Sequence, residues 1–207
     1  MSIILDICGQ VQGRLNEYCR AAMPSAEDWV VLSNIVDQDG TPVEAARNKL
    51  VMFLANIQHD TTIGSWNPAK PLNASTYGII PPPLYLNLYI LFYANFSARN
   101  YPQGIDMISL VLQFFQANPA FNHDNLPDIP AQVEKIVFEL SNLDTVGLNY
   151  LMGLAGTNYL PSAFYRVRMI RLSSDTLQQQ VPAVSGYDVT PKPFAGQDSL
   201  ENGVRPQ

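Results

Sequence analysis

Charge is what this 207-residue chain has least of: only 14% of its residues are Asp, Glu, Lys or Arg, where an ordinary soluble domain carries roughly 25%. Eighteen acidic residues against twelve basic ones leave a formal net charge of −6. That balance excludes the clustered Lys and Arg with which nucleic-acid binders meet phosphate, and it disfavours an anionic membrane surface. No apolar run reaches the ~18 residues that suggest a bilayer span. Histidine and cysteine occur twice each. His59 and His123 are followed by Asp60 and Asp124, but neighbours on a strand point to opposite sides, so neither dipeptide is a ready dyad. Cys8 and Cys19, placed on one helix, stand roughly 16 Å apart, beyond the about 7 Å that a disulfide spans. They read as small core residues in a reducing compartment, and no zinc spacing is present. No Walker loop, G-x-G-x-x-G or G-x-S-x-G occurs. The sequence therefore assigns no catalytic residue, no metal and no cofactor, and a non-enzymatic assembly role is expected.

What is present is ample apolar content, 47%, enough for the core of one domain. A chain so poor in charge must cover its surface with Asn, Gln, Ser, Thr and Tyr, which suits lasting contact with other proteins. The opening Met-Ser-Ile-Ile-Leu-Asp lacks a basic stretch, so no signal peptide is expected.

Apolar residues from Ile3 to Ala22 recur at helical spacing, with Ser2 as N-cap and Met23-Pro24 as the stop. Trp29 to Ile35 reads as a strand closed by the turn Asp37-Gln38-Asp39-Gly40, and Leu50 to Gln58 as a second. Asp60 to Pro83 is rich in proline and turn formers and reads as a long loop, a functional or tolerated insertion and, in an enzyme, a lid. Tyr101 to Ala117 is a helix with Pro102 in its first turn; its buried stripe is predicted as Ile105, Ile108, Val111, Leu112 and Phe115. Val133 to Leu140 alternates with Ile136, Phe138 and Leu140 inward. Leu143 to Leu154 is a third helix, capped by the Ser141 to Asp144 pattern and ended at Gly156. Phe164 to Leu172 is the last strand. The fold class predicted is α/β (α+β): one domain over residues 1–173, a mixed sheet of about five strands flanked by about three helices. Residues 174–207, rich in Pro, Gln and Gly, are expected to be a flexible or docking tail, able to add a strand to a neighbour's sheet.

The longest signal is a strand from Leu84 to Ser97. One face carries Leu84, Leu86, Leu88, Ile90, Phe92, Ala94 and Phe96, which is core. The other carries Tyr85, Asn87, Tyr89, Leu91, Tyr93, Asn95 and Ser97, to be covered by a helix of the same domain or by another subunit. A strand this long is expected to overhang its neighbours. Arg166, Arg168 and Arg171 form the one basic cluster, with Arg166 and Arg168 on one face and Arg171 on the other. They read as a solvated sheet edge or as partners for acidic residues of a neighbouring subunit. The candidate subunit-contact residues are therefore Tyr85, Tyr89, Tyr93, Arg166, Arg168 and Arg171.

Two blocks carry a wider likeness: Pro82-Pro83-Leu84-Tyr85-Leu86-Asn87-Leu88-Tyr89, and Tyr159-Leu160-Pro161-Ser162-Ala163-Phe164-Tyr165-Arg166-Val167-Arg168. With Val31 to Ile35, Ala55 to Gln58, Phe114 to Asn118 and Leu140 to Leu143, they make residues 1–172 resemble the tail-terminator or cap proteins of extracellular phage-tail-like contractile injection systems. The resemblance implies a homo-oligomer, a six-fold ring at the end of a particle distal to its baseplate. It would halt inner-tube growth and join the last sheath layer, so the implied partners are the inner-tube and sheath proteins. Assembly in the bacterial cytoplasm is implied, with neither nucleic acid nor membrane as partner. A tail-completion or connector protein of a contractile-tailed phage, a scaffold module and an enzyme using the 60–83 segment as a lid are the alternatives.

Overall fold

The computed structural model describes residues 2–61, 69–73, 76–79, 84–157, 159–172 and 179–182. Helix α1 (Ile3–Ala22) forms because Ile7, Cys8, Val11, Leu15 and Cys19 return every three or four residues and are all buried. It closes where the Met23 N–H donates to the Cys19 carbonyl at 2.8 Å, just before Pro24. The strands that follow are β1 (Val30–Leu32), β2 (Lys49–His59), β3 (Ala69–Asn73), β4 (Thr76–Ile79), β5 (Leu84–Asn95), β6 (Ala120–Asn122), β7 (Lys135–Leu140), β8 (Ser162–Leu172) and β9 (Gln179–Pro182). Helix α2 (Tyr101–Ala117) lies between β5 and β6, and α3 (Thr145–Leu154) between β7 and β8.

Six strands make the main sheet, in the order β1-β2-β5-β8-β7-β6. Only the β1–β2 pair is parallel. The α+β class with a mixed sheet is as expected; the short edge strand β6 was not legible in the sequence. A second, three-stranded sheet joins β3, β4 and β9. The segment expected to be one long loop thus holds two strands, which a proline-rich composition hides. Part of the expected tail, Gln179–Pro182, pairs with β4 of its own chain. The rest, 174–178 and 183–207, lies outside the described residues.

Helices α1 and α2 cover one face of the sheet. The main core there gathers Leu86, Leu88, Ile90, Phe92 and Ala94 from β5, and Phe96 just after it, with Val11, Leu15, Val111 and Phe115 from the helices. The other face carries a smaller core, in which Leu91 and Tyr93 of β5 meet Val51, Ile35, Ala46 and Met152 of α3. Strand alternation sends neighbouring residues of β5 into two cores. The absence of a side chain lets α2 approach the end of β5 closely: a Cβ on Gly104 would stand 3.2 Å from the Phe96 side chain and 3.3 Å from that of Ala94, tight enough that these neighbours would have to give way by a few tenths of an ångström.

Three further expectations are corrected. The strand β5 does not overhang: β2 pairs with it from Leu86 to Asn95 and β8 from Leu84 to Tyr93. The stripe of α2 is rotated from the predicted one, with Gly104, Met107, Val111, Phe114 and Phe115 buried and Ile105 and Leu112 exposed. Both stripes satisfy helical periodicity, and contact with the sheet chose between them. Leu140 is likewise 56% exposed rather than inward.

Candidate assembly surface

The sheet face that α3 shares holds most of the candidate contact residues, and strand register decides how they meet. Tyr89 on β5 is opposite Arg166 on β8, and Arg166 is opposite Glu139 on β7. The result is a row across three strands. Arg166 donates from Nε and Nη2 to Glu139 Oε2 at 3.2 and 2.6 Å, and Arg168 donates from Nη1 to Glu139 Oε1 at 3.0 Å. The two hydrogen bonds from Arg166 hold the Glu139 carboxyl below its usual range, with Arg168 adding to the effect. The same bond raises the Arg166 guanidinium, helped by the Tyr89 hydroxyl. Tyr89 also lies flat against Phe164, ring centroids 5.7 Å apart.

Arg166 and Arg168 are therefore paired within their own chain, away from the edge of the sheet. Strand β8 is interior to the sheet, flanked by β5 and β7, and both described guanidiniums are engaged by Glu139 of the same chain. One formal positive charge remains on the trio. Sequence reading missed Glu139, although a lone carboxylate between Phe138 and Leu140 was a signal that the alternate face of β7 is polar. A register shift between Leu86 and Leu88 against β8 breaks strict alternation there, so that Val167 and Ile170, three apart, are both fully buried. That shift removes the basis for assigning Arg171 a face by parity. Arg171 pairs with Tyr85 in the ladder, but its side chain lies outside the described residues.

Tyr85 is half-buried. Tyr93 is fully buried, 6.0 Å from the Phe53 ring between centroids, and burial pushes its hydroxyl up to about 12. The structure thus takes Tyr93 off the surface and into the smaller core, leaving Tyr85, Tyr89 and the two arginines on partly open positions.

Helix α3 borders this ladder and was not singled out from the sequence. Its N-cap is Asp144, whose Oδ1 accepts from the Gly147 N–H at 2.7 Å, rather than Ser141. Gly156 ends it at φ +68°, a left-handed turn that glycine adopts freely. Only Met152 of this helix is fully buried, while Val146, Tyr150 and Leu154 are 59%, 72% and 82% exposed. They are spaced four apart, one side of the helix. The signal was legible: Thr145 to Leu154 contains no charged residue.

His59 and His123 are exposed and well separated in the chain. Among the described residues no group of three or more His, Cys, Asp or Glu side chains is placed to hold a metal ion, and no helix is long and apolar enough to cross a membrane. Cys8 and Cys19 are buried free thiols, which burial pushes up to about 11.

Replacing Glu139 by Gln is expected to lower stability at neutral pH by about 1 kcal/mol, since the carboxylate is a third exposed and solvent screens much of the pairing. Because its folded pKa lies below the unfolded one, the stabilisation is present above the ordinary carboxylate range and fades as pH falls through the folded value. Urea melts of the two proteins should differ at pH 7 and converge in acid. A constant gap at every pH would show that the ion pair is not its source.

The main sheet, its helical layers and the charged ladder can be compared with known proteins. The family model described as the Pvc16 N-terminal domain matches residues 6–186. A sheath/tube terminator in the extended state, from the cryo-EM structure of an extracellular contractile injection system, PVC, superposes with a TM-score of 0.62 at 17% identity; the match covers 95% of this chain and 65% of that one. The tube-terminating cap of the anti-feeding prophage, also seen by cryo-EM, superposes with a TM-score of 0.55 at 20% identity, over 86% of this chain and 59% of the cap. This chain thus spans somewhat less than two thirds of either protein's length. No curated protein matches the sequence. Likenesses at these identities establish a shared fold; the family model, matching far more than half of the sequence, establishes descent: the chain belongs to the Pvc16 N-terminal domain family.

Proposed function

We propose that this protein is a structural cap of a contractile injection system: a ring that ends inner-tube growth and joins the last sheath layer to the tube. The observation that carries the reading is the family match over residues 6–186. The two cap and terminator structures that share the fold support it. The chemistry of the surface agrees. The described residues offer the uncharged exposed side of α3 and an internally paired charge ladder, which suit burial against other proteins. The partners are copies of itself in a six-fold ring, with the inner-tube and sheath proteins; the protein works without catalysis. Assembly takes place in the bacterial cytoplasm, and the protein remains in the particle.

Electron microscopy of the purified protein, alone and mixed with its tube and sheath subunits, tests this. Rings at one tube end and tubes of bounded length are the expected result. Protein scattered along the tube wall, or tubes whose growth is unaffected by any concentration of it, would overturn the reading.

A further inference from the structure

The edge of a β-sheet presents a row of outward N–H and C=O groups, a template on which another chain can add a strand. Charged side chains on the edge are a common guard against this, and little charge is available here. The two edge strands of the main sheet, Val30–Leu32 and Ala120–Asn122, contain no charged residue, and Val-Val-Leu is a run that pairs readily. The described edges are closed by other means, and an asparagine side chain does it at three places.

At β1, Asn16 meets both outward groups of Val30, donating to its carbonyl and accepting from its N–H. The Ser33 N–H donates inward to the Met52 carbonyl, so Leu32 is the one other residue of β1 whose main-chain groups alternate outward, too little for a strand to grip. At β6, Asn125 folds back along the strand: its Nδ2 donates to the Ala120 carbonyl at 2.9 Å and its Oδ1 accepts from the Asn122 N–H at 2.8 Å. The Leu126 N–H donates to the Asn122 carbonyl at 2.8 Å. On β2, β1 pairs only with Leu50 to Met52. Beyond it the ladder with β5 shifts register between Leu54 and Asn56, an irregularity that bends an edge. Because the Asp60 N–H donates to Tyr85 of β5, the Ile57 N–H alternates away from β5, and Asn56 Oδ1 accepts it at 2.8 Å. A primary amide carries donor and acceptor side by side, as a strand edge does. We infer that these asparagines stand in for missing neighbour strands and close the main sheet to strand addition by a second copy of this chain or by any other extended peptide. Partners are thereby directed to sheet faces, helices and the smaller sheet, and a tail that docks as a strand is directed away from the main sheet. The inference concerns the edges of this domain and holds independently of the cap reading.

Variants of the full chain test it. In Asn125→Ala the Asn122 N–H and the Ala120 carbonyl lose their partner, whereas Asn125→Asp keeps an oxygen for the Asn122 N–H and adds a charge at the edge. Sedimentation velocity follows association, and hydrogen exchange follows the Asn122 amide in dilute and concentrated solution. For Asn125→Ala, exchange at Asn122 should be about tenfold faster in dilute solution. Self-association should be about tenfold tighter than in the unaltered protein, and Asn122 should regain protection in the associated form. Asn125→Asp should associate as the unaltered protein does. Unchanged association of Asn125→Ala overturns the proposal. So does association that leaves Asn122 unprotected, which would place the contact elsewhere, and so does Asn125→Asp associating as tightly as Asn125→Ala. Asn16→Ala repeats the test at the β1 edge, with the Val30 amide as the probe, and decides it if Asn125→Ala does not fold. Rings or capped tubes formed by the unaltered protein bear on the cap reading alone.

Discussion

Replacing Phe115 by alanine is expected to destabilise the protein by about 3–5 kcal/mol, the usual cost of a phenylalanine-sized cavity in a packed core. Phe115 is 3% exposed and joins more layers than any neighbouring ring. Its centroid lies 4.4 Å from that of Phe138 on β7, 4.7 Å from Tyr165 on β8, 5.0 Å from Phe114 and 5.5 Å from Phe92 on β5. The ring therefore fastens α2 to three strands that are distant in sequence. Aromatic pairs add about 0.5–1.5 kcal/mol each beyond their buried area, and neighbours so rigid cannot collapse into the space. For a domain of this size the loss corresponds to a drop in Tm of about 10 °C. Chemical and thermal unfolding followed by circular dichroism would measure it. A change below 1 kcal/mol would mean that the aromatic cluster is looser than its distances indicate. Phe115→Leu, which keeps most of the volume, should cost markedly less.

The second large effect is expected at Asn16, one of the few buried polar residues, at 5% exposure. Strand β1 has a partner on one side only, and its outer edge would leave the amide groups of Val30 unpaired inside the protein. Asn16 of α1 supplies what a further strand would have supplied. Its Nδ2 donates to the Val30 carbonyl at 3.0 Å and its Oδ1 accepts from the Val30 N–H at 2.8 Å. Gln12 Nε2 donates to the same carbonyl at 2.9 Å. In Asn16→Ala the carbonyl keeps Gln12, but the N–H is orphaned at a residue that is fully buried. The expected cost is about 2–3 kcal/mol, the desolvation of an unmet donor plus the lost side-chain contacts. Amide exchange should localise it: Val30 is expected to lose its protection while the β2–β5 pair keeps its own. Retained protection at Val30 would show that another group takes over the bond. The same variant uncovers a sheet edge, so a greater tendency to self-associate at high concentration is also expected.

These two sites also mark how far the sequence could be read. Helix α1, the full extent of α2 and the core face of β5 from Leu86 onward follow from periodicity, because burial of one side repeats at 3.6 or 2 residues along the chain itself; Leu84, expected in the core, is 43% exposed at the start of the strand. Absence of clustered charge, histidine and cysteine was equally plain, and it pointed away from nucleic acid and metal chemistry before any fold was known. The likeness to tail terminators rested on residues of β5 and β8, the two long central strands.

Tertiary structure decided what periodicity leaves open. Helix α2 carries two overlapping apolar stripes that share Val111 and Phe115, and the close approach at Gly104 with the burial of Met107 and Phe114 settled which one faces the sheet. Arg166 and Arg168 found Glu139, 27 and 29 residues away, because β7 and β8 are neighbours in the sheet, a fact with no local trace. The shift of register beside Val167 put Val167 and Ile170, three residues apart, into the core together. Tyr93 entered a core and Tyr89 did not, although both stand on the same strand, because Ile35, Ala46, Val51 and Met152 gather around Tyr93 while Tyr89 lies half-buried against Phe164. Local pattern says which side of an element can be buried; only the elements packed across from it determine which part is buried, and which part is left for another subunit.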